Sequence, residues 1–268
     1  MKQPAFSILD FSKTFPDNKT CLDYLFQKHH GHTTCPKCGE KKWHLQDGTS
    51  KYVCQCGASQ ISPKAGTIFE KSDTDLVKWF FAIFLMSQAR NGVAAKEIER
   101  HCKVTYKTAW RMQKQIRLLM MEDNALLSGD VEADETWIGG RRKRKSYKEN
   151  KTIAFGAVKR KGKVSTRIIK DSTEQTLLES VRDNVAKGSN LMTDDYRAYK
   201  YIAIMQDHNH STVNHSKNEW RKGNTHTNTI EGFWSQLKRS IDGTYHVVSP
   251  KYLPSYLAEF QFGNYILE

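Results

Sequence analysis

Four cysteines at short spacing restrict the fold of this chain more than any other feature. They occur as two pairs, CPKCG at 35–39 and CQCG at 54–57, which supply Cys35, Cys38, Cys54 and Cys56. Two cysteine-containing turns joined by a short hairpin are how a zinc ribbon builds a tetrahedral thiolate site. Four protein ligands leave no position open for a reactant, so we expect one structural Zn²⁺ in this part of the chain.

The second cysteine pair departs from the usual zinc-ribbon pattern. One residue separates Cys54 from Cys56, where two are usual. Two interpretations stay open for a metal site: the short spacing strains the second turn, or His44 replaces one cysteine as a ligand. A third interpretation is four reduced thiols that bind no metal. Cys21 and Cys102 fall in helical patterns and are expected in the core.

The charge balance favours a polyanionic partner. The 268 residues include 42 Lys and Arg against 29 Asp and Glu, a net charge of +13 with a pI near 9.4. Nucleic acid is the simplest partner for such an excess. The N-terminus has no apolar signal region, and the most apolar run, WFFAIFLM at 79–86, is too short to cross a bilayer. We therefore expect a cytoplasmic protein, associated with the nucleoid when bound to DNA, and no membrane partner.

Two helices joined by a short turn are predicted after this apolar run. The first covers about 93–101, and Thr105 is placed to cap the second. The exposed N-terminal end of the second helix carries Tyr106, Lys107 and Arg111, where a recognition helix makes its base and phosphate contacts. This pattern favours a DNA-binding helix-turn-helix, and the alternative is a helical hairpin that only packs the core.

The second half of the chain alternates strand-like and helix-like segments. Residues 131–140 alternate as a strand does, 152–171 predict a hairpin, 172–188 predict a helix with a Ser-Thr cap, and 190–199 predict a short strand. A further strand is expected within 200–214. Three strands, a helix, a strand and then further helices is the order of an RNase H-like fold. The expected fold class is therefore α+β multidomain: an N-terminal zinc ribbon, a helix-turn-helix and a C-terminal RNase H-like domain.

Three acidic residues fall on different elements of that fold. Asp134 lies within the first strand, Asp194 ends a later strand, and Glu231 is on the helix predicted from HTNTIEGFWSQLKRS. Three converging carboxylates can hold two Mg²⁺ ions, which prefer oxygen ligands and act together in phosphoryl transfer. The alternative is unrelated surface acids, because a chain with 29 acidic residues offers many such triplets.

Seven segments carry a family resemblance that spans almost the whole chain. They are CPKCG, AGTIFEKSDTDLVKWFFAIFLM, TYKTAWRMQKQIR, VEADETWIGG, TDDYRAY, HTNTIEGFWSQLKRSIDGTYH and VSPKYLPSYLAEFQF. They resemble DDE-type insertion-sequence transposases, and more narrowly the group with a zinc ribbon and an ISXO-type catalytic domain, the IS-fifteen-ninety-five family. The resemblance implies a retroviral-integrase-type catalytic domain. It also implies a protein that binds terminal inverted repeats, cleaves 3′ ends with divalent metal and transfers them into target DNA.

The resemblance also implies particular site residues. It assigns catalytic roles to four of them: Asp134, Asp194, Glu231 and Lys238. The three acids would bind two Mg²⁺ (or Mn²⁺) ions, and Lys238, seven residues after Glu231, would hold a phosphate of the DNA end. Asn228 is a further candidate, because some relatives carry Asn in the third catalytic role. His226 is close enough to Glu231 in sequence to touch the active site.

Further basic residues extend the predicted DNA surface. The run RRKRK comprises Arg141, Arg142, Lys143, Arg144 and Lys145. It either gains DNA affinity by counterion release or forms a solvated hairpin tip. Arg239 is predicted to contact DNA beside Lys238. Cutting at two DNA ends implies a homodimer or higher oligomer in the active complex.

The domain boundaries follow from these zones of composition. We predict an N-terminal helix and zinc ribbon at 1–66, a helical DNA-binding region at 67–126, and the catalytic domain at 127–268. Two alternatives to a transposase stay open. One is a decayed or domesticated transposase that only binds DNA, and the other is an RNase H-fold nuclease.

Overall fold

A computed structural model of the chain describes residues 6–121, 125–139, 151–205, 207–217 and 219–266. The chain divides into two compact units, which are Met1–Ser87 with Ala95–Ile116, and Gln88–Ala94 with Arg117–Glu268. The division predicted at 66/67 and 126/127 stays a prediction. None of the described helices is both long enough and apolar enough to span a bilayer.

The first unit contains most of the residues of five helices. Those that lie wholly or mainly in it are α1 Ile8–Thr14, α2 Asn18–His30, α3 Leu76–Gln88, α4 Ala95–Cys102 and α5 Tyr106–Leu119. Helix α1, which the sequence did not predict, begins with a capping box in which the side chains of Ser7 and Asp10 each accept a hydrogen bond from the other's backbone N–H. Phe11 of α1 packs 5.3 Å from Phe81 and 5.4 Å from Phe84, measured between ring centres.

The cysteine segment of this unit folds as a small antiparallel sheet. Its strands, in the spatial order β1-β2-β3, are β1 Trp43–Leu45, β2 Tyr52–Cys54 and β3 Gln60–Ile61. Tyr52 stacks on Phe26 of α2 with ring centres 3.8 Å apart, and its hydroxyl donates to Asp23. These contacts fix the sheet on α2, because an aromatic pair adds about 0.5–1.5 kcal/mol beyond the burial of its area.

The predicted helix pair is present as α4 and α5. Helix α4 begins at Ala95, two residues later than predicted, and the turn after it contains Lys103 in a left-handed conformation (φ 49°). Thr105 caps α5, since its Oγ1 accepts a hydrogen bond from Thr108 N at 3.3 Å. Ile98 and Met112 are fully buried, which anchors both helices in the core of this unit.

A mixed five-stranded sheet forms the centre of the second unit. Its strands are β4 Asp130–Ile138, β5 Thr152–Lys159, β6 Val164–Ile169, β7 Asn190–Asp194 and β8 Asn209–Val213. Their spatial order is β6-β5-β4-β7-β8. Strand β5 pairs antiparallel with both β4 and β6, whereas β7 pairs parallel with both β4 and β8. The strand predicted at 131–140 is confirmed as β4, and the hairpin predicted at 152–171 is confirmed as β5 and β6. The strand predicted at 190–199 is confirmed over Asn190–Asp194 alone.

Helices cover both faces of this sheet. They are α6 Glu174–Asn184, α7 Arg197–Met205, α8 Asn228–Ser240 and α9 Leu253–Ile266, with a 3₁₀ turn at His215–Lys217 and a π-helical turn at Ile241–Tyr245. Neighbouring residues of β5 serve opposite faces: Ala154 belongs to the core under α8 and α9, whereas Phe155 belongs to the core under α6 and α7. The alternation follows from the two-residue period of a strand.

Two local predictions in this unit are wrong in detail. The strand expected within 200–214 is present as β8, but the strand predicted at 190–199 does not reach its predicted end. Helix α7, which was not predicted, begins at Arg197 because Ala198, Tyr199 and Ile202 form a buried helical stripe. The predicted Ser-Thr cap of α6 also fails, since the N-cap residue Thr173 makes no side-chain cap bond. Asp171 instead accepts hydrogen bonds from Thr173 N, Thr173 Oγ1 and Thr176 Oγ1.

Candidate active site and metal centre

The four cysteines of the small sheet converge on one point. Their sulfur atoms all lie within 4.8 Å of one another, with 3.7 Å from Cys35 to Cys56 and 3.5 Å from Cys38 to Cys54. A tetrahedral zinc with Zn–S bonds of about 2.3 Å separates its sulfurs by roughly 3.8 Å. The cluster therefore fits a zinc ribbon, and His44 is not a member of it.

The local backbone explains how the unequal pairs close equivalent turns. Gly39 and Gly57, one after each pair, have φ of 75° and 74°, a region that glycine enters without steric cost. Gly57 N donates to Cys54 O at 2.8 Å, so the one-residue spacing makes a tight turn of its own. Ser59 Oγ lies 3.3 Å from Cys35 Sγ, and this hydrogen bond is the main cause that lowers the pKa of the Cys35 thiol to about 6, with smaller contributions from the backbone of Cys38 and Lys37. The lowered pKa favours the thiolate that metals bind.

The second group of candidates lies where β4 and β7 run side by side. These parallel strands pair Asp130 with Asn190 and Glu132 with Met192. The pairing ends at Glu132 and Met192, and Asp134 and Asp194 each follow this last pair by two residues, so both side chains leave the same face of the sheet. Glu231 is in the first turn of α8, which packs on β4 and β5.

The three acids act on one another electrostatically. The pKa of Asp134 is raised to about 7, chiefly by burial and then by the charges of Glu135, Asp194 and Glu231, in that order. Burial is also the main cause of the raised pKa of Asp194, and the charges of Asp195 and Glu231 add to it. Since the charge of Glu231 raises the pKa of both aspartates, the carboxylates of Asp134, Asp194 and Glu231 lie within electrostatic range of one another, and they are called the acidic cluster below.

This acidic cluster fits a site for hard cations. Among the described residues, no Lys or Arg nitrogen lies within 4 Å of the Asp134 carboxylate. Carboxylate oxygens are the ligands that Mg²⁺ and Mn²⁺ prefer, and a divalent ion would offset the repulsion that raises both aspartate pKa values. Oxygens from the three carboxylates, one from each, do not all lie within 4.8 Å of one another. A site for two ions about 3.5–4 Å apart spreads its ligands more widely than a site for one.

Two neighbouring side chains hold the carboxylate of Glu231. Thr227 Oγ1 donates to Glu231 Oε1 at 2.6 Å, and His215 Nε2 lies 3.2 Å from the same oxygen. The ring of His215 packs against Trp220 with centres 4.7 Å apart. The Glu231 side chain is 40% exposed, so it is only partly enclosed by these contacts.

The acids next to the two aspartates point elsewhere. Glu135 lies on the other face of β4, where it accepts a hydrogen bond from the buried Tyr199 hydroxyl at 2.5 Å. Asp195 accepts from Asn214 Nδ2 at 2.8 Å and pairs with Lys200 at 3.2 Å. The contacts of both residues agree with a supporting role.

The remaining predicted residues of this unit are spread along α8. Lys238 and Arg239 are exposed in its last turn. Lys238 lines a cavity of about 210 Å³ together with Ile138 at the end of β4. Asn228 is exposed, and His226 Nδ1 lies 3.1 Å from Glu132 Oε1, so His226 touches a residue that the sequence did not single out.

The predicted DNA contacts of α5 are placed on its exposed side. Tyr106, Lys107 and Arg111 are all exposed, and Lys96 of α4 lies over the Tyr106 ring, 5.2 Å from its centre. The run Arg141, Arg142, Lys143, Arg144 and Lys145 lies outside the described residues.

Sequence reasoning did not assign four residues to the surroundings of the acids. They are Glu132, Arg160, His215 and Thr227. Glu132 had a weak signal, because it lies two residues before Asp134 and must share its face of the strand. The other three come from loops or strand ends and reach the site only through the tertiary fold.

Comparison with known proteins defines the class. The profile of the ISXO2-like transposase domain matches residues 126–264, which contain the five-stranded sheet, the acidic cluster and α8. This match spans more than half of the chain, and it defines a DNA transposase. The chain belongs to the ISXO2-like transposase family, which confirms the resemblance seen in its motifs.

Individual relatives agree with this assignment. The chain is 26% identical over 273 residues to an uncharacterized protein in transposable element ISH50 of Halobacterium salinarum, with 93% of this chain and 91% of the relative covered. It is 27% identical over 106 residues to an uncharacterized transposase-like protein of Haemophilus influenzae, with 39% of this chain and 84% of the relative covered.

One solved structure shares a distant likeness. It is a chain of the simian T-cell lymphotropic virus intasome in complex with PP2A regulatory subunit B56 gamma. The identity is 14% and the TM-score 0.31, with 67% of this chain and 65% of that chain covered. A likeness this distant carries no argument about function.

Proposed function

We propose that the second unit is an RNase H-like domain that catalyses DDE-type DNA transposition with Asp134, Asp194 and Glu231. The strand order, an antiparallel run β4-β5-β6 followed by parallel β7 and β8, supports this fold. One observation carries the proposal: inside the region that matches the transposase family, the charges of Asp194 and Glu231 raise the pKa of the buried Asp134, and the charge of Glu231 also raises that of Asp194. Mg²⁺ or Mn²⁺, bound as two ions, would activate water and then the 3′-OH of the DNA end.

The residues of the chain orient this chemistry. Asp134 and Asp194 supply oxygens from adjacent strands, and Glu231 supplies one from α8, held by Thr227. Lys238 lies seven residues along α8, close to two turns, so it projects from the same side as Glu231 and would bind a phosphate of the DNA end. The products would be a free 3′ end and its joined form in target DNA.

The first unit would recognise the DNA. Its four cysteines would hold one structural Zn²⁺, and α4 and α5 would form a helix-turn-helix for the terminal inverted repeats. Tyr106, Lys107 and Arg111 would make the contacts from α5, and the charge of +13 favours such a partner. Joining two ends of one element would take a homodimer or larger complex, acting in the cytoplasm on the nucleoid.

A strand-transfer assay tests this proposal. Purified protein is incubated with Mg²⁺ or Mn²⁺ and a labelled duplex that carries the element's own end. We expect wild type to form joined products and Asp194→Asn to form none, while still binding the DNA. Asp195→Asn is the matched control, because it removes the adjacent carboxylate and should keep activity within a few-fold of wild type.

The alternatives give different products in the same assay. Wild type that binds the duplex without cutting would favour the decayed, DNA-binding protein. Cutting without joining would favour a nuclease. Equal joining by Asp194→Asn and wild type would refute the assignment of Asp194.

A further inference from the structure

A buried ion pair lies at the start of α8, next to the acidic cluster. Glu132 of β4 is fully buried, and its Oε1 accepts a hydrogen bond from Arg160 Nε at 2.7 Å. A buried charge pair is a weak source of net stability, because desolvation of both ions offsets their attraction. The position of this ion pair beside the acidic cluster is therefore more informative than its contribution to stability.

The same carboxylate binds the first turn of α8. Glu132 Oε2 accepts hydrogen bonds from the backbone N–H groups of Thr229 at 2.8 Å and Ile230 at 3.2 Å, and Oε1 accepts from Thr229 Oγ1 at 2.9 Å. These N–H groups belong to the first turn of the helix, where backbone N–H groups have no acceptor within the helix itself. The N-cap residue Thr227 makes no side-chain cap bond, so Glu132 takes over that task from a different element.

Arg160 holds the chain that leads into the helix. Its Nη1 donates to Asn224 O at 2.7 Å, and its Nη2 donates to His226 O at 3.1 Å. The planar guanidinium thus joins the Glu132 carboxylate to two backbone carbonyls, a geometry that the point charge of a lysine does not reproduce.

We infer that Glu132, with Arg160, is a positioning residue that keeps Glu231 beside Asp134. Glu132 lies two residues from Asp134 on the same face of β4, about 6.7 Å along the strand. It binds the two residues that precede Glu231. One rigid strand therefore carries an acid of the cluster and the anchor for the helix that supplies another. This inference rests on the proposed function.

The test compares Glu132→Gln with a matched buried pair. Glu259→Gln is the control, since Arg117 Nε also donates to Glu259 Oε2 at 2.7 Å and both partners are nearly inaccessible. That pair lies in the same unit and has no described contact with the first turn of α8. Loss of either pair lowers stability, so stability alone does not distinguish positioning from general support.

The first measurement is hydrogen exchange of the metal-free chain. We expect the Thr229 and Ile230 amides to exchange at least ten-fold faster in Glu132→Gln, and within two-fold of wild type in Glu259→Gln. Equal exchange of these amides in wild type and Glu132→Gln would overturn the inference. This measurement needs no activity, so it decides the anchoring even for a chain that transfers no DNA.

The second measurement is Mn²⁺ affinity, followed by electron paramagnetic resonance of the free ion. Loss of a residue that orients a metal ligand weakens metal binding about 10–100-fold. We expect a ten-fold or greater loss in Glu132→Gln, unchanged affinity in Glu259→Gln, and partial recovery of strand transfer by Glu132→Gln at raised Mn²⁺. Wild-type affinity in Glu132→Gln would overturn the positioning role. A wild-type chain that binds no Mn²⁺ would instead refute the proposed metal site.

Two further variants keep the inference testable where Glu132→Gln does not fold. Arg160→Lys keeps the positive charge but loses the planar guanidinium with its several N–H donors, so we expect weaker Mn²⁺ binding from this variant as well. Thr229→Ala removes only the hydroxyl contact with Glu132 and should cause a smaller loss of Mn²⁺ affinity. Wild-type Mn²⁺ affinity in Arg160→Lys would overturn the role of the guanidinium.

Discussion

Two aspartates of the second unit show how surroundings set the chemistry of one residue type. Asp134 is enclosed in the sheet beside other acids, so its pKa rises to about 7. Asp171 stands before α6 and accepts three hydrogen bonds, and those from Thr173 and Thr176 lower its pKa to about 2. Burial penalises the ionised form of the first residue, whereas hydrogen bonds stabilise the ionised form of the second.

The two shifts affect stability in opposite directions. A raised pKa means that the folded, metal-free chain favours protonated Asp134. The stability that the protonated form contributes is therefore lost as the pH rises from 3.8 through about 7. A lowered pKa means that Asp171 stabilises the fold above 3.8, and this contribution is lost as the pH falls towards about 2. A cation at the acidic cluster would relieve the first effect and leave the second unchanged.

The role of Asp171 leads to a prediction about pH. Asp171→Asn should lower the free energy of unfolding at pH 6, and its difference from wild type should shrink as the pH falls from about 4 towards 2. Urea unfolding followed by circular dichroism between pH 6 and pH 3 measures this difference. Glu179→Gln removes a carboxylate from the exposed side of the same helix and should stay within about 0.5 kcal/mol of wild type. A pH-independent difference for Asp171→Asn would contradict the prediction.

At the scale of elements, α8 owes its place on the sheet to one glycine. Gly156 of β5 is paired with Asp134, and a Cβ atom at this position would lie 2.5 Å from Trp234 Cζ2. Trp234 is buried in the core between α8 and the sheet. The missing side chain thus lets the helix approach the strand next to the one that carries Asp134.

Substitution of this glycine should therefore displace α8. Gly156→Ala is expected to lower the free energy of unfolding by about 1–3 kcal/mol, the usual range for an overpacked core. Gly232→Ala in α8 is the matched control, because nothing lies within 4 Å of its added methyl group. That variant should be stabilised by up to about 1 kcal/mol through helix propensity. Urea unfolding of both variants measures the contrast, and a Gly156→Ala protein as stable as wild type would show that Trp234 moves without cost.

For elements, the sequence was most informative where the pattern was strongly periodic. The alternation of VEADETWI predicted β4, and the apolar spacing of Ile230, Phe233, Trp234 and Leu237 predicted α8. It was less informative for α7, whose nine residues form a stripe too short to separate from a strand. Helix α6 was predicted, but its cap was not, because Asp171 reaches past the Ser-Thr pair.

At the scale of the whole molecule, the cysteine cluster and the large sheet belong to different units. The four cysteines lie in the unit Met1–Ser87 with Ala95–Ile116, while both cores under the helices of the large sheet lie in the other. A small three-stranded sheet with strands of two or three residues has little core of its own. We therefore expect bound zinc to contribute much of its stability.

A cysteine substitution tests this division. Cys56→Ser should lower the zinc content from about one ion per chain to nearly none, measured by atomic absorption. Amide protection should fall in the small sheet and stay unchanged in the large one, measured by hydrogen exchange with mass spectrometry. Cys102→Ala, which removes a buried cysteine outside the cluster, should retain its zinc. Equal loss of protection in both sheets would contradict the division.

The sequence by itself determined the local features of this protein. Cysteine spacing predicted the zinc ribbon, periodicity predicted β4 and α8, and motifs identified the family. Only the tertiary structure decided which side chains meet. Glu132 and Thr229 are 97 residues apart, and their contact depends on the order and register of the strands. Spacing encodes the period of one element, whereas contacts between distant elements result from packing the whole sheet at once.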